Sequence, residues 1–216
     1  MFVEKWMTPA PSTVLPSAYV SAVAMEMNRR KFRHFPVAEV TPTGRRVVGI
    51  VSKYDLARAF PANLNPFSLE VFEDSVPRPV STVMTKKVLT TTPDTPIEVA
   101  ARTLHTHRIG ALPVIRENRL VGIITESDIF EAFMSVTAAK SGGVRVMLES
   151  SVRETPVPAV VLLSNQYGVD LLSMLSFHES RLKGRDISIF RFGGRLPAGF
   201  LQEVAKLGFR IVSVGE

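Results

Sequence analysis

The chain has 216 residues, 45% hydrophobic and 21% charged, close to the composition of ordinary folded domains, and no apolar run approaches the roughly 20 residues of a bilayer crossing. The absence of cysteine excludes a disulfide framework, a thiolate zinc site and a cysteine nucleophile. The net charge of +6 is evenly spread: residues 1–137 hold 16 basic against 13 acidic groups and residues 138–216 hold 10 against 7, so there is no basic tail.

The opening segment MFVEKWMTP carries Glu4 and Lys5 and lacks the apolar core of a signal peptide; a cytoplasmic protein with no membrane partner is expected. A helix is predicted from about Ser17 to Arg30. The densest basic cluster, Arg29, Arg30, Lys31 and Arg33, lies at its end. It reads either as a surface for nucleic acid or an anionic ligand, or as cations opposing the negative pole of the helix. Without interleaved aromatics or a DNA-binding motif, no nucleic-acid partner is expected. HFPVAEV and GRRVVGIVS then read as strands and Tyr54 to Phe60 as a helix. PANLNPFSLEVFEDSVPRPV, with four prolines, reads as a linker over 61–80.

From Asp94 to His107, Ile97, Ala100, Ala101 and Leu104 recur at helical spacing, and Gly110 is expected to end that helix. ALPVI and LVGIIT follow as strands around the turn RENR, then a helix from Ser127 to Val136. His105 and His107, two apart on a helix, point in different directions, so no metal site is expected. After the small-residue stretch 138–143 the pattern changes to a strand (VRVMLES), a helix from Pro156 to Tyr167 closed by Gly168, strands VDLLSMLSF and ISIFRF around the turn KGRD, a helix from Pro197 to Leu207, and a last strand FRIVSV.

A repeat organises the first 137 residues. Met7-Thr8 returns as Met84-Thr85, Thr13 and Pro16 as Thr90 and Pro93, and Pro36-Val37 as Pro113-Val114, all at an offset of 77. The offset then falls to 73, with Val48-Gly49-Ile50 returning as Val121-Gly122-Ile123 and Asp55 as Asp128. Four residues are thus inserted in the first copy within AEVTPTGRR, where a hairpin loop is expected to absorb them. Each copy reads as βαββα, and two copies should pack sheet to sheet to bury the face that one would leave bare.

The chemistry lies where a strand turns into a helix in each copy, at Ser52-Lys53-Tyr54-Asp55 and Thr125-Glu126-Ser127-Asp128. Both are capping boxes, which explains them without a ligand. Both also set unpaired N–H groups at a helix N-terminus, suited to a phosphate, beside a carboxylate that can accept sugar hydroxyls. Lys53 in the first corner favours phosphate, whereas Glu126 in the second opposes it. Lys31 and Arg108 stand at equivalent places, five residues before Pro36 and Pro113; they reach a phosphate or serve as helix C-terminal cations. No nucleophile–base pair or Walker-type loop gives a reason to expect an enzyme.

The paired segments HFPV and ALPV, and GIVSKYD and GIITESD, each following a Met-Thr start, resemble a tandem pair of CBS domains, a Bateman module. The resemblance covers roughly residues 1–137 and implies repeats at 1–60 and 81–137. It implies a regulatory ligand, AMP, ADP or ATP, with S-adenosylmethionine and NAD as alternatives, and no required cofactor. Asp55 and Asp128 would hold the ribose, with Ser52 and Thr125 beside phosphate or sugar. The backbone around His34-Phe35-Pro36 and Ala111-Leu112-Pro113 would face the adenine, with the strand entries near Val14 and Thr92 alongside, each group serving the corner of its own copy. The βαββαβ order of residues 143–216 is ferredoxin-like, and after a CBS pair it resembles an ACT domain. The whole resembles the acetoin-utilisation accessory protein family. ACT domains that bind amino acids usually place Asp and Gly before the first helix, whereas this chain has Arg153-Glu154-Thr155-Pro156-Val157-Pro158, which favours an interaction module. The expected fold class is therefore α/β (α+β): two βαββα repeats as a pseudo-two-fold pair, then a ferredoxin-like domain. A homodimer and an unidentified regulated partner complete the expectation, with Phe60, Phe130 and Phe133 as candidate dimer contacts.

Overall fold

Amphipathic helices and hairpins, each made twice, build the first of two units, Met1–Phe130; the second is Glu131–Glu216. The computed structural model describes residues 1–60, 78–151, 155–179 and 185–215, so most of the expected linker, Arg153-Glu154 and part of the KGRD turn lie outside the described residues.

The first copy comprises β1 (Thr8–Pro9), α1 (Val20–Arg30), β2 (His34–Thr41), β3 (Gly44–Ser52) and α2 (Lys53–Ala59). The second comprises α3 (Ile97–His107), β4 (Ala111–Arg116), β5 (Arg119–Thr125) and α4 (Glu126–Val136), and the division between units falls inside α4. Helix α1 buries Val20, Val23, Ala24 and Met27 against Phe35, Val37, Val51 and Leu56, the stripe that its 3 and 4 spacing requires. Helix α3 buries Ile97, Ala100 and Leu104 in the same way.

Two expectations are corrected by the backbone. Helix α3 runs to His107 as expected, but the residue that caps it is Arg108, not Gly110. Arg108 (φ 53°) and its counterpart Lys31 (φ 60°) both adopt the left-handed conformation. The next amides, Ile109 and Phe32, close onto the carbonyls of Leu104 and Met27 at 3.0 Å. The four inserted residues, expected in a loop, instead lengthen the strands: β2 and β3 have 8 and 9 residues against 6 and 7 in β4 and β5. The hairpins pair Thr41 with Gly44 and Arg116 with Arg119, leaving two residues in each turn, and both are bulged after the same valine, Val37 or Val114.

The Met-Thr starts cross over between copies. Thr8 pairs with Ile123 of β5, and Thr85 with Ile50 of β3. Val3 and Val80, each in a single 3-10 turn, are fully buried. A Cβ on Gly49 would collide with the Met84 sulfur, and one on Gly122 with the Met7 sulfur. These glycines exist for close approach. The hairpins meet through β3 and β5.

The second unit holds β6 (Val144–Ser151), α5 (Val157–Tyr167), β7 (Leu171–Glu179), β8 (Arg185–Phe192), α6 (Phe200–Lys206) and β9 (Arg210–Gly215). The sheet order β7-β8-β6-β9, antiparallel throughout, is the ferredoxin-like arrangement. Val146, Leu148, Phe190 and Phe192 of the sheet pack on Val160, Leu163, Phe200 and Val204 of the helices, with Phe192 and Phe200 edge to face at 5.2 Å. Gly168 (φ 63°) ends α5. No described helix is long and apolar enough to cross a membrane.

Candidate functional site

The first corner closes a full capping box on its helix, and the second ties its carboxylate back to the residue before the helix. The Ser52 hydroxyl donates to Asp55 Oδ2 at 2.7 Å and accepts from the Asp55 N–H at 3.2 Å, while the Ser52 N–H donates to the same Oδ2 at 2.8 Å. The Thr125 N–H and hydroxyl donate to Asp128 Oδ2 at 2.7 and 2.8 Å. One oxygen takes both bonds in each case. Oδ1 accepts none among the described residues, so each half-buried carboxylate keeps an acceptor for a ligand. Capping and binding are therefore compatible.

Both corners open into cavities within the first unit. A cavity of about 490 Å³ is lined by Ser52, Lys53, Asp55, Lys87 and Arg108, with Ile50, Val88, Leu89 and Ile109 as apolar walls. A second, of about 320 Å³, is lined by Thr125, Asp128, Lys31, Phe32, Pro36 and Ser12. Both volumes lie within the ~300–1,000 Å³ range of small-molecule sites.

The grouping expected within each copy is exchanged. Arg108 and Ala111 of the second copy stand with the Ser52/Asp55 corner, while Lys31 and Pro36 of the first stand with Thr125/Asp128. The crossing starts add to the exchange: after Thr85 on β3, Lys87, Val88 and Leu89 line the Ser52/Asp55 cavity, and after Thr8 on β5, Ala10, Pro11 and Ser12 line the Thr125/Asp128 cavity. Phe35 and Leu112 have side chains in the core, Pro113 is buried, and Val14 bridges Val37 at the sheet edge. Thr92 bonds to Thr95 in the turn before α3. None of these five is among the residues lining the two cavities.

The basic cluster divides by function. Arg29 binds Glu26 at 2.7 Å, and Arg30 binds Glu26 and donates to Ser12 at 2.8 Å. The hydrogen bond from Arg29, helped by Arg30, brings the Glu26 carboxyl down to about 2. Lys31 and Arg33 turn to the cavities instead. Arg33 lines both, and its guanidinium donates to Ser127 Oγ at the second corner at 2.9 Å. Glu126, expected beside the second site, lines neither cavity: its carboxylate lies 3.7 Å from where a Gly110 Cβ would stand.

His34 lines both cavities. Burial pushes its imidazole below the usual histidine range, the Arg33 charge adds to this, and Glu126 and Asp55 oppose it. A Cβ on Gly110 would stand 2.7 Å from the ring, so the bare glycine lets the ring sit there. The sequence places His34 at the site only by its backbone and gives Tyr54 of the first corner no role; it misses Lys87 and Ser12, and the exposed Tyr54 ring lies 5.6 Å from the Arg58 guanidinium. The repeated Met-Thr starts were the signal for Ser12 and Lys87. Among the described residues no three His, Asp or Glu side chains group as a metal site.

Known proteins share this architecture. The chain is 28% identical to a Vibrio cholerae protein named for acetoin utilization (AcuB), with a TM-score of 0.53 over 65% of this chain and 95% of that one. It is 25% identical to CBSX2, solved with AMP (TM-score 0.51, 62% and 97% covered), and to the CBS domain pair of MJ0100, solved with 5'-methylthioadenosine and S-adenosyl-L-methionine (TM-score 0.50, 62% and 95% covered). A homoserine O-acetyltransferase of Methanococcoides burtonii is 35% identical over 124 residues, which are 57% of this chain but only 22% of that longer enzyme. The CBS domain family matches residues 3–62 and 80–135, more than half of the molecule. The chain therefore belongs to the CBS domain family.

Proposed function

We propose that this protein is a non-catalytic regulatory module that binds an adenosine nucleotide, AMP, ADP or ATP, in the two cavities of its paired repeats. The observation that carries the reading is the pair of half-buried carboxylates, Asp55 and Asp128, each lining a cavity with cations among its walls, with Oδ2 bonded at the helix start and an Oδ1 oxygen that accepts no bond among the described residues. A ribose diol suits that oxygen and a phosphate suits the cations. Structural neighbours at 25% identity hold AMP, or methylthioadenosine and S-adenosylmethionine, which supports an adenosine-type ligand. The enzymes among the relatives match over a minor part of their length, so their chemistry is not carried over.

In this reading repeats 1–60 and 81–137, joined by 61–80, sense the nucleotide. The ACT-like domain 143–216 passes the state to a regulated partner in the cytoplasm. The nucleotide shifts the equilibrium only as far as it prefers one state. A homodimer is part of the reading: Phe130 and Phe133 on α4 are 67% and 58% exposed, and Phe60, the third candidate contact, is partly buried against the core of the first copy.

The internal bonds of both corners, a full capping box at Ser52/Asp55 and the Thr125 N–H and hydroxyl bonds to Asp128, favour a second reading, a scaffold with no ligand. A thermal-shift screen with AMP, ADP, ATP, S-adenosylmethionine and NAD separates the two. Saturation at 100 times the dissociation constant adds about 2.7 kcal/mol of stability. A shift with an adenosine nucleotide is expected, and no shift with any of the five leaves the scaffold.

A further inference from the structure

The sheet of the second unit carries an unbalanced pair of charges on the face away from its helices. On β6, Val146 and Leu148 point to the helices, so Arg145, Met147 and Glu149 point to the other face. Glu149 is 8% exposed and balanced: Arg185 binds one carboxylate oxygen, and Arg210 lies 3.6 Å from the other. Four residues along, Arg145 stands directly opposite Arg191 of β8. Like charges in that position repel. Both are half-buried, and neither makes an ion pair among the described residues; Arg145 has only a 3.4 Å bond to Ser213 Oγ.

These arginines line a cavity of about 220 Å³ whose other walls are largely apolar, among them Phe133, Val136, Leu175 and Ile189. Ser173 reaches it as well, with its hydroxyl donated to the Thr137 carbonyl at 2.9 Å. Two guanidinium groups over an apolar floor match a carboxylate on a short hydrocarbon body. A phosphate, with more oxygens to satisfy, would leave most of them against carbon. The volume lies below the ~300 Å³ at which drug-sized sites begin, which limits the occupant to a small acid. We infer that this cavity is a binding site for a small apolar monocarboxylate, held by Arg145 and Arg191 as Glu149 is held by Arg185 and Arg210. The site is separate from the nucleotide cavities and does not depend on their being occupied.

The test is calorimetric titration of the full chain with 3-phenylpropanoate, 3-methylbutanoate and the uncharged 3-phenylpropanamide, up to about 10 mM, ten times a 1 mM dissociation constant. At least one acid is expected to bind, at least tenfold more tightly than the amide, with the same affinity when AMP is present in excess. Arg191→Gln should weaken the acid at least tenfold while keeping or raising the melting temperature, because it relieves the repulsion. Leu175→Trp, a partly exposed wall position, should block the cavity with both arginines intact; Arg108→Gln, in the first unit, should leave acid binding unchanged. Binding of neither acid, equal binding of acid and amide, competition by AMP, or full binding by both Arg191→Gln and Leu175→Trp would overturn the assignment.

Discussion

The two cavities of the first unit share a corner, a left-handed cation and an exchanged Met-Thr segment, yet they differ in charge and size. The larger one gathers Arg33, Lys53, Lys87 and Arg108 around Asp55, whereas the smaller has Lys31 and Arg33 around Asp128. One charge at a few ångströms in a partly wet cleft is worth on the order of 1–4 kcal/mol, so two more cations can separate the cavities by a decade or more in affinity for a phosphate chain. The repeat thus keeps the carboxylate geometry of both corners, while its unmatched residues make the two cavities differ in charge. We propose that the larger cavity prefers di- and triphosphates and the smaller one AMP or a less charged adenosine ligand.

The largest effect should come from the shared element. Asp128→Ala removes the carboxylate proposed to accept the ribose hydroxyls and is expected to lower AMP affinity by about 30- to 150-fold, equivalent to about 2–3 kcal/mol, with about 1 kcal/mol of stability lost with its bonds to Thr125. Calorimetry and urea denaturation read the two separately. A stability loss with unchanged affinity would leave Asp128 as a cap alone.

Next come the exchanged starts. Gly49→Ala and Gly122→Ala force a Cβ against the Met84 and Met7 sulfurs and should each cost about 1–3 kcal/mol by overpacking. Because Thr85 pairs beside the larger cavity and Thr8 lines the smaller, each variant should disturb the nucleotide affinity of one cavity more than the other. Equal effects on both would show that the cavities are not independently built.

Arg108→Gly sharpens the contrast within one residue. Glycine adopts the left-handed conformation freely, whereas an L side chain pays about 1 kcal/mol there, so stability should hold or rise slightly. ATP affinity should fall about tenfold, because the guanidinium leaves the larger cavity. Unchanged ATP affinity would remove Arg108 from the site.

The smallest effect is on pH. His34 is lowered in the folded protein, chiefly by burial, so the unfolded chain binds its proton first; stability is full above the ordinary value near 6.5 and falls as pH drops toward the lowered one. A bound phosphate raises the imidazole again. ATP affinity should therefore rise a few-fold as pH falls through the region between these two values, and His34→Gln should flatten that slope. A slope unchanged by the substitution would place the titrating group elsewhere.

Much of this architecture was legible in the chain because it depends on local periodicity. The 3 and 4 spacing of Val20, Val23, Ala24 and Met27 marks α1, and the ferredoxin-like order follows from alternating segments between glycines. The partners in each cavity were not legible. The repeat shows that Met7-Thr8 and Val121-Gly122-Ile123 recur, but nothing in one dimension says that the first copy's Met7 packs on the second copy's Gly122. Nor does one dimension say that Lys31 and Arg108 line the cavities of the opposite corners. Likewise, the left-handed backbone of those two residues is a tertiary outcome, since glycine would be the local expectation at a helix end.

The central claim is that two similar corners hold unequal nucleotide sites, and titrating ATP into Asp55→Ala and Asp128→Ala separately tests it most directly. Asp55→Ala should lose the tighter ATP site, leaving an affinity at least tenfold weaker than that of Asp128→Ala, while AMP binding suffers more in Asp128→Ala. Equal losses of ATP affinity in the two variants would contradict the account.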